Sequence, residues 1–246
     1  MSTSTSTPTV VLVHGAFADA SFWATVVSEL QAHDVPVVAP PNPLRSLAGD
    51  AEYIASYVNQ IDGPVLLVGH SYGGAVITVA GVSTPNAVGL VYAAAFALDE
   101  GETLGDIFAQ FGDTPLSAAI RRSDYPLPGG ETGVELTVEP ALYHQAFAAD
   151  LPVDQSRVLA VSQRPFADVF AQPAGAAAWK TLPSWAIVAT ADNAIPPDGE
   201  RHMAERAGAQ TIEVDSSHSI ALAQPTAVAD HIRMAVNAAS AALATA

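Results

Sequence analysis

The chain has 246 residues, of which 50% are hydrophobic and 14% charged, a composition that predicts one large folded domain and argues against disorder. Its formal net charge of −16 disfavours nucleic acid and anionic membranes as partners, because like charges repel. The lack of cysteine excludes a disulfide framework, a thiolate zinc site and a thiol nucleophile.

The opening stretch MSTSTSTPT has neither the basic start nor the apolar run of a signal peptide, so residues 1–8 are predicted to form a flexible leader. No run of eighteen apolar residues predicts a membrane span. We therefore expect a soluble, cytoplasmic protein that is a monomer or a homodimer.

Short apolar runs alternate with amphipathic segments through the first hundred residues. Apolar strands joined by helices form parallel sheets covered on both faces, so this alternation predicts a doubly wound, mostly parallel α/β sheet. The predicted strands here are 9–15, 35–40, 65–68 and 87–95, and the predicted helices are 21–33, 47–61 and 72–81.

Residues 100–180 interrupt the alternation, because they contain no convincing strand but several helix-like pieces and the loop signal PLPGGETG. An insertion of this size after the fourth strand predicts a helical cap. The alternation then resumes, which predicts an α/β core of residues 1–99 and 181–246 with a six-stranded sheet. Its later elements are predicted strands at 184–192 and 210–215, and predicted helices at 197–207 and from about 225.

The motif Gly69-His70-Ser71-Tyr72-Gly73 separates the third strand from the helix after it. A sharp strand-to-helix turn points the serine hydroxyl above the carboxyl edge of the sheet, and glycine on either side avoids a collision between strand and helix. The motif therefore predicts Ser71 as a catalytic nucleophile.

A serine nucleophile needs a general base, and seven histidines are available. His218, in the loop DSSHS after the last strand, is predicted to fill this role at the same edge of the sheet. Asp192, after the fifth strand, is predicted to orient it, and the order serine, aspartate, histidine is the one that accompanies this elbow. Two alternatives stay open: Asp99 as the acid, or Asp192 as only a cap for the next helix.

The oxyanion formed in acyl transfer needs preorganised N–H donors. One is predicted to be the backbone N–H of Tyr72, directly after the nucleophile. The other is expected from the loop HGAFADAS after the first strand, from Ala16 in preference to Phe17. The alternative is that this loop only begins a helix.

These motifs resemble those of the α/β-hydrolase superfamily, and within it the capped group of plant methylesterases and hydroxynitrile lyases, as well as bacterial α/β-fold hydrolases. The resemblance implies the α/β-hydrolase fold, the triad Ser71, Asp192 and His218, and oxyanion donors at Ala16 and Tyr72. It spans nearly the whole chain and is carried by VLVHGAFADASFW, LVGHSYGG, FAADLPVDQSRVLAVSQRP, IVATADNAIPPDGERHMAERAG and SSHSIALAQP.

The resemblance also implies a choice between ester and cyanohydrin cleavage. Lyases of the group carry threonine where this chain has Gly15 and lysine where it has Ser219, so the chain resembles the esterase branch. Tyr72 departs from the group, where leucine is common, so the shape of the acyl pocket is not carried over.

The predicted function is a serine esterase that cleaves a small, uncharged, largely apolar carboxylic ester or lactone through an acyl-enzyme. No cofactor or metal is implied, because no clustered histidines supply a ligand set. The candidates to line the substrate pocket are Phe17, Phe108, Phe111, Tyr125, Tyr143, His144, Phe147 and Phe166.

Three other functions stay open for this fold. The same triad supports carbon–carbon bond hydrolysis, perhydrolase activity or lyase chemistry. A receptor of this fold would keep the pocket and bind a ligand without turning it over. An interaction protein would carry the triad only as a remnant.

Overall fold

The computed structural model describes residues 7–245, so residues 1–6 of the predicted leader lie outside the described residues. The strands are Thr9–Val13 (β1), Val37–Val38 (β2), Val65–Ser71 (β3), Ala87–Ala95 (β4), Ile120–Pro126 (β5), Thr132–Val138 (β6), Phe166–Ala167 (β7), Ser184–Ala189 (β8) and Gln210–Val214 (β9). The α-helices are Ala24–Ala32 (α1), Leu47–Val58 (α2), Tyr72–Ala80 (α3), Leu104–Phe111 (α4), Pro115–Ala119 (α5), Tyr143–Phe147 (α6), Val153–Ser162 (α7), Pro197–Arg206 (α8), Ile220–Ala223 (α9) and Pro225–Thr245 (α10). Short 3-10 helices occupy Ala20–Trp23, Gly81–Ser83, Pro128–Gly130 and Ala178–Lys180. Within residues 7–245, no helix has the length and apolar character that crossing a bilayer requires.

Six strands pair in parallel in the order β2-β1-β3-β4-β8-β9. Alternate residues of a strand point to opposite faces, so β1 contributes to two separate cores. Val11 and Val13 belong to the core that includes residues of α2, α3 and α8, whereas Val10 and Leu12 belong to the core that includes residues of α1 and α10. The predicted doubly wound parallel sheet is confirmed.

The segment between β4 and β8 contains helices α4 to α7, but it also contains an antiparallel sheet in the order β5-β6-β7. The expectation that this insertion has no strand is therefore wrong. Strand β5 reads IRRSDYP, and most of its residues are exposed, so no apolar alternation marks it in the sequence. Its backbone instead pairs with β6 over the full length of both strands. The division of the chain at residues 100 and 180 stays a prediction.

Helix α3 begins directly where β3 ends and packs closely against the end of β1. An added Cβ at Gly73 would lie 2.3 Å from the carbonyl oxygen of Val13 and 2.9 Å from that of His14. An added Cβ at Gly69 would lie 2.5 Å from the carbonyl oxygen of Gly73. These neighbours are backbone atoms of the sheet and helix, so they cannot move aside as a side chain can. The predicted reason for both glycines is confirmed.

Replacement of Gly73 by alanine is expected to lower the free energy of unfolding by about 3 kcal/mol or to prevent folding, because the new methyl group overlaps strand backbone. Gly199→Ala in α8 is the matched control, since its Cβ would meet only side chains, Ile107 at 3.2 Å and Phe111 at 3.3 Å. Urea unfolding of both variants measures the difference. Equal losses of stability would contradict a special close approach at Gly73.

Candidate active site

Ser71 is the last residue of β3 and directly precedes α3. Its backbone has φ +54° and ψ −126°, a conformation that residues with a side chain rarely adopt. The turn is held by a hydrogen bond from the Phe96 N–H to the Ser71 carbonyl oxygen at 3.2 Å. Ala94, with φ +45°, forms a bulge that lets β4 follow the turn. The Ser71 hydroxyl makes no capping bond to α3, which leaves it available for chemistry.

The loop after β1 lies against Ser71, since an added Cβ at Gly15 would be 2.6 Å from the Ser71 Cβ. His14 fixes this loop. Its Nδ1 donates to the Gly15 carbonyl oxygen at 2.9 Å, and its Nε2 accepts from the Asn42 N–H at 2.9 Å. Burial lowers the pKa of His14 to about 4, so the ring is neutral, as its acceptor role requires.

Ala16, Phe17 and Tyr72 present backbone N–H groups that donate to no acceptor in the part of the chain that the structure describes. Phe17 has a left-handed φ of +61°, which turns the loop sharply. Tyr72 is the first residue of α3, where backbone N–H groups are unpaired and the helix dipole favours negative charge. Their common role as oxyanion donors stays a prediction. The choice of Ala16 over Phe17 stays a prediction.

A buried hydrogen bond joins His218 to Asp192. The His218 Nδ1 donates to Asp192 Oδ2 at 2.5 Å, and the two side chains are 1% and 0% exposed. The other oxygen of Asp192 accepts from the N–H groups of Ala194 and Ile195 at 2.5 and 2.9 Å. Asp192 therefore fixes the loop before α8 and also orients His218. Since Nδ1 carries the proton, the lone pair of the neutral ring lies on Nε2.

The structure brings Ser71 and His218 to the same carboxyl edge of the sheet. His70, the residue before Ser71, donates from Nε2 to the His218 carbonyl oxygen at 2.8 Å, and the two imidazole rings lie 4.6 Å apart. The Nε2 atom of His218 is buried and has no hydrogen-bond partner within residues 7–245, so no such bond yet joins it to Ser71. Catalytic contacts of this kind commonly tighten only when substrate binds.

Asp99, the alternative acid, lies elsewhere. Its carboxylate pairs with Lys180 at 2.5 Å and accepts from the Glu100 N–H at 2.6 Å, and its side chain is 34% exposed. The hydrogen bond from Lys180 lowers the pKa of Asp99, which is the behaviour of a surface ion pair. Asp192 is the carboxylate that the structure places against His218.

No group of three or more histidine or carboxylate residues suited to a metal ion occurs within residues 7–245.

The inserted segment holds the loop that carries His218. Asp150 accepts hydrogen bonds from the Ser216 hydroxyl and the Ser217 N–H, both at 2.8 Å, and from the Ser217 hydroxyl. Burial opposes the charge on Asp150, but the donors from Ser217 and Ser216 outweigh it and lower the pKa of the carboxyl. Asp150 lies in the quoted segment FAADLPVDQSRVLAVSQRP, but nothing in that segment indicates its partners, which lie more than sixty residues further along the chain.

Asp50, on α2, also acts at the site without a sequence signal beyond helical spacing. The Tyr72 hydroxyl donates to Asp50 Oδ2 at 2.7 Å, and the Arg45 N–H donates to both carboxylate oxygens at 3.1 Å. Burial raises the pKa of Asp50 despite these donors, and it also raises the pKa of Tyr72. The bond ties the residue after the nucleophile to the neighbouring helix.

Three predicted pocket residues form an aromatic cluster around the catalytic edge. The Phe17 ring lies 6.1 Å from Phe147 and 6.0 Å from Phe166. Phe147 also stands edge-on to the His218 ring at 4.7 Å, and Phe166 lies 4.6 Å from the Tyr72 ring. These rings therefore present apolar surface to His218 and Tyr72.

The other predicted pocket residues lie further out. Tyr143 packs behind the cluster, 5.1 Å from the Phe147 ring. Phe108 lines a separate cavity of about 390 Å³ between α4, α5 and the β5-β6-β7 sheet. Phe170, which also lines that cavity, packs with its ring 6.4 Å from the ring of Phe166. The cavity lining includes Gly105, Phe108, Ser117, Ile120, Arg122, Leu136, Asp168 and Phe170.

The structure does not bring Phe111, Tyr125 and His144 to the triad. Phe111 packs against α8. The Tyr125 ring lies under the Arg45 guanidinium at 4.7 Å, and His144 is hydrogen-bonded to the Ser156 hydroxyl at 2.7 Å. A groove of about 750 Å³ between α2 and α3 is larger than the Phe108 cavity but contains no triad residue. Volume alone therefore does not mark the site.

A family model described as "Alpha/beta hydrolase family" matches residues 10–231. The matched region includes Ser71, Asp192 and His218. No curated protein sequence gives a significant match. The resemblance to the α/β-hydrolase superfamily seen in the sequence is confirmed by this model.

Several solved structures share the fold. Polyneuridine aldehyde esterase superposes with a TM-score of 0.80 at 20% identity, covering 92% of this chain and 97% of its own. A pyrethroid hydrolase from Sphingobium faniae JZ-2 has a TM-score of 0.78 at 20% identity, covering 94% of this chain and 98% of its own. An extracellular alpha/beta-hydrolase from a Paenibacillus species has a TM-score of 0.70 at 22% identity, covering 92% and 97%. At these identities the similarity establishes the fold and leaves the substrate open.

The hydrogen bond between Tyr72 and Asp50 is expected to stabilise the fold around the nucleophile. Tyr72→Phe should lower the free energy of unfolding by about 1–3 kcal/mol, because it removes a donor from a buried carboxyl. Tyr53→Phe, on the exposed side of the same helix as Asp50, is the control and should change stability by less than about 0.5 kcal/mol. Urea unfolding monitored by circular dichroism measures both variants. A Tyr72→Phe variant as stable as the Tyr53→Phe control would show that the bond does not stabilise the fold.

Proposed function

The chain belongs to the alpha/beta hydrolase family, and we propose that it is a serine carboxylic-ester hydrolase. The observation that carries the proposal is the buried 2.5 Å hydrogen bond between Asp192 and His218, at the sheet edge where Ser71 ends β3. A buried aspartate–histidine pair beside a strained serine suits acyl transfer. The similar structures include one named as an esterase and one named as a pyrethroid hydrolase, which supports this reaction class.

The first half of the reaction transfers the acyl group to Ser71. His218 Nε2 takes the hydroxyl proton as Ser71 Oγ attacks the ester carbonyl carbon, and Asp192 stabilises the imidazolium that forms. The backbone N–H groups of Ala16 and Tyr72 receive the negative charge on the carbonyl oxygen. His218 then returns the proton to the departing alcohol, which leaves an acyl-enzyme on Ser71.

The second half releases the acid. Water enters next to His218, which removes a proton from it and directs the oxygen to the acyl carbon. The same N–H groups stabilise the second tetrahedral intermediate. Collapse of this intermediate returns the proton to Ser71 and restores the resting enzyme.

The substrate is a small, uncharged, largely apolar ester or lactone. Aromatic side chains lie against His218 and Tyr72, and the separate cavity beside Phe108 has a volume of about 390 Å³, within the range of about 300–1,000 Å³ that small-molecule sites occupy. The net charge of −16 disfavours anionic substrates. A short acyl or alcohol group would contact Phe17, Phe147 and Phe166, and a longer one would reach the cavity.

Two positions favour ester cleavage over the cyanohydrin cleavage implied for lyases of the group. A threonine side chain at Gly15 would start 2.6 Å from the Ser71 Cβ, so it does not fit without a shift of the nucleophile. Ser219, where those lyases carry lysine, is fully buried and donates to the Phe147 carbonyl oxygen at 2.8 Å. No cation is therefore placed beside His218 to receive cyanide.

Hydrolysis of p-nitrophenyl esters of graded acyl length tests the proposal. Ser71→Ala should lower kcat/KM by more than about 10³-fold, because the covalent step is lost, and should abolish labelling by a fluorophosphonate. Ser123→Ala, on the exposed strand β5, is the control and should behave as the wild type does. Ser71→Ala activity within tenfold of the wild type would refute the mechanism.

A substrate panel separates the remaining functions. Cyanohydrins and dienones are included beside the esters, and peroxide is added in a separate assay. Turnover of any of these without ester hydrolysis would assign different chemistry to the triad. Ligand binding without turnover, combined with no fluorophosphonate labelling, would assign a receptor.

A further inference from the structure

A second carboxyl group lies directly behind the triad. Glu200, on α8, is 3% exposed, and its Oε2 accepts a hydrogen bond from the Ala189 N–H at 3.1 Å. Ala189 ends β8, the strand that leads to Asp192. Asp192 in turn donates its backbone N–H to the Ala189 carbonyl oxygen at 3.2 Å, so both acids are anchored on the last residue of β8. The structure thus buries two acids side by side.

The donors around this pair are distributed unequally. Asp192 accepts from the N–H groups of Ala194 and Ile195 and from His218. Glu200 accepts only from Ala189, and its Oε1 is buried with no hydrogen-bond partner within residues 7–245. Two neighbouring carboxyl groups in a buried site cannot both ionise, so one proton is shared or is held by the less stabilised group. That group is Glu200.

A nearby cation, Arg201, opposes the rise in the pKa of Glu200, but burial and the charge on Asp192 outweigh it. Arg201, the next residue on α8, is directed to the surface, where its guanidinium pairs with Asp198 and Glu213 at 2.8 Å. Tyr92 borders the same small cavity as Glu200, but its hydroxyl is hydrogen-bonded to Thr78. Burial raises the pKa of the Glu200 carboxyl well above its ordinary value, and the charge on Asp192 raises it further.

We propose that Glu200 is a positioning residue that, as a neutral acid, donates a hydrogen bond to the Asp192 carboxylate. The donated bond fixes the orientation of Asp192 and withdraws part of its negative charge from His218. Glu200 thereby sets how strongly His218 holds a proton, which controls the pH at which it can act as a base. The kinetic part of this role rests on the proposed function, whereas the protonation of Glu200 does not.

Glu200→Gln and Glu200→Leu distinguish the donor from the charge. Glutamine keeps a group that accepts from Ala189 and a second group that donates to Asp192, but it has no proton to lose. Leucine has similar volume and removes both hydrogen bonds. Glu205→Gln, exposed on the same helix, is the control for removal of an acid from α8.

The first measurement is urea unfolding from pH 5 to 9, which does not depend on activity. A carboxyl whose pKa is raised in the folded state holds a proton there that the unfolded chain releases, so its stabilising contribution falls as pH rises. The unfolding constant of the wild type should therefore increase, relative to Glu200→Gln, by up to about tenfold per pH unit until Glu200 ionises. Glu205→Gln should show no such trend. A constant difference between the wild type and Glu200→Gln would show that Glu200 is ionised, and would overturn the proposal.

The second measurement follows the protonation of His218 as a function of pH. NMR of its ring proton, assigned by comparison with His218→Gln, reports the protonation directly, and kcat/KM reports its effect on activity. Glu200→Leu should move the protonation of His218 and the acid limb of kcat/KM upward by roughly half to one pH unit, because Asp192 regains its full charge. It should also lower kcat/KM about tenfold, whereas Glu200→Gln should stay within about threefold of the wild type.

The outcomes separate this role from a structural one. A Glu200→Leu variant that folds but leaves the His218 titration unchanged would overturn the proposal, as would a folded Glu200→Gln variant that behaves as Glu200→Leu does. Should Glu200→Leu fail to fold, Glu200→Gln and the unfolding series still decide. If the wild type hydrolyses no ester, the proposed function fails, while the NMR and unfolding results continue to test Glu200.

Discussion

Ser71 holds a left-handed backbone, with φ +54°, at the end of a fully buried strand. Such a conformation costs on the order of 1–3 kcal/mol in a residue with a side chain, so it persists only where the surrounding structure enforces it. Here the close approach of β1, permitted by Gly15 and Gly73, and the bulge at Ala94 in β4 enforce it from both neighbouring strands. The strain in the Ser71 backbone is therefore balanced by packing in the sheet. In the proposed mechanism, this packing fixes the position of the Ser71 hydroxyl at the end of β3.

The surroundings of Ser71 are polar yet almost entirely buried, which limits how many charges they can contain. Burial keeps the pKa of His14 and of His70 below its ordinary value, so both rings are neutral and act as hydrogen-bonding groups of fixed orientation. Asp192 accepts hydrogen bonds from several donors, whereas Glu200 accepts from few. Burial therefore decides the charge of the two histidines, and the number of donors distinguishes the two acids.

The sequence was sufficient to single out Ser71, Asp192 and His218 because parallel strands end at one edge of the sheet. Each of these residues follows a recognisable apolar strand, so their placement at that edge could be predicted without coordinates. Strand β5 could not, since IRRSDYP pairs through its backbone and shows no apolar alternation. Nor could the roles of Asp150 and Glu200, because the quoted segments that contain them, FAADLPVDQSRVLAVSQRP and IVATADNAIPPDGERHMAERAG, do not reveal which groups their carboxyls contact. A motif can reveal a residue whose position is set by its own strand and turn. The roles of Asp150 and Glu200 depend instead on how separate elements pack together.

The inserted segment and the catalytic histidine are held together by the same set of contacts. Asp150 fixes the loop that contains His218, and the Phe147 carbonyl oxygen accepts from the Ser219 hydroxyl at 2.8 Å. Phe147 also places its ring 4.7 Å from the His218 ring, on the side where apolar substrate groups would lie. A movement of this segment would therefore also move His218. In the proposed mechanism, where His218 is the general base, the segment helps to position a reacting group as well as to supply apolar surface beside it.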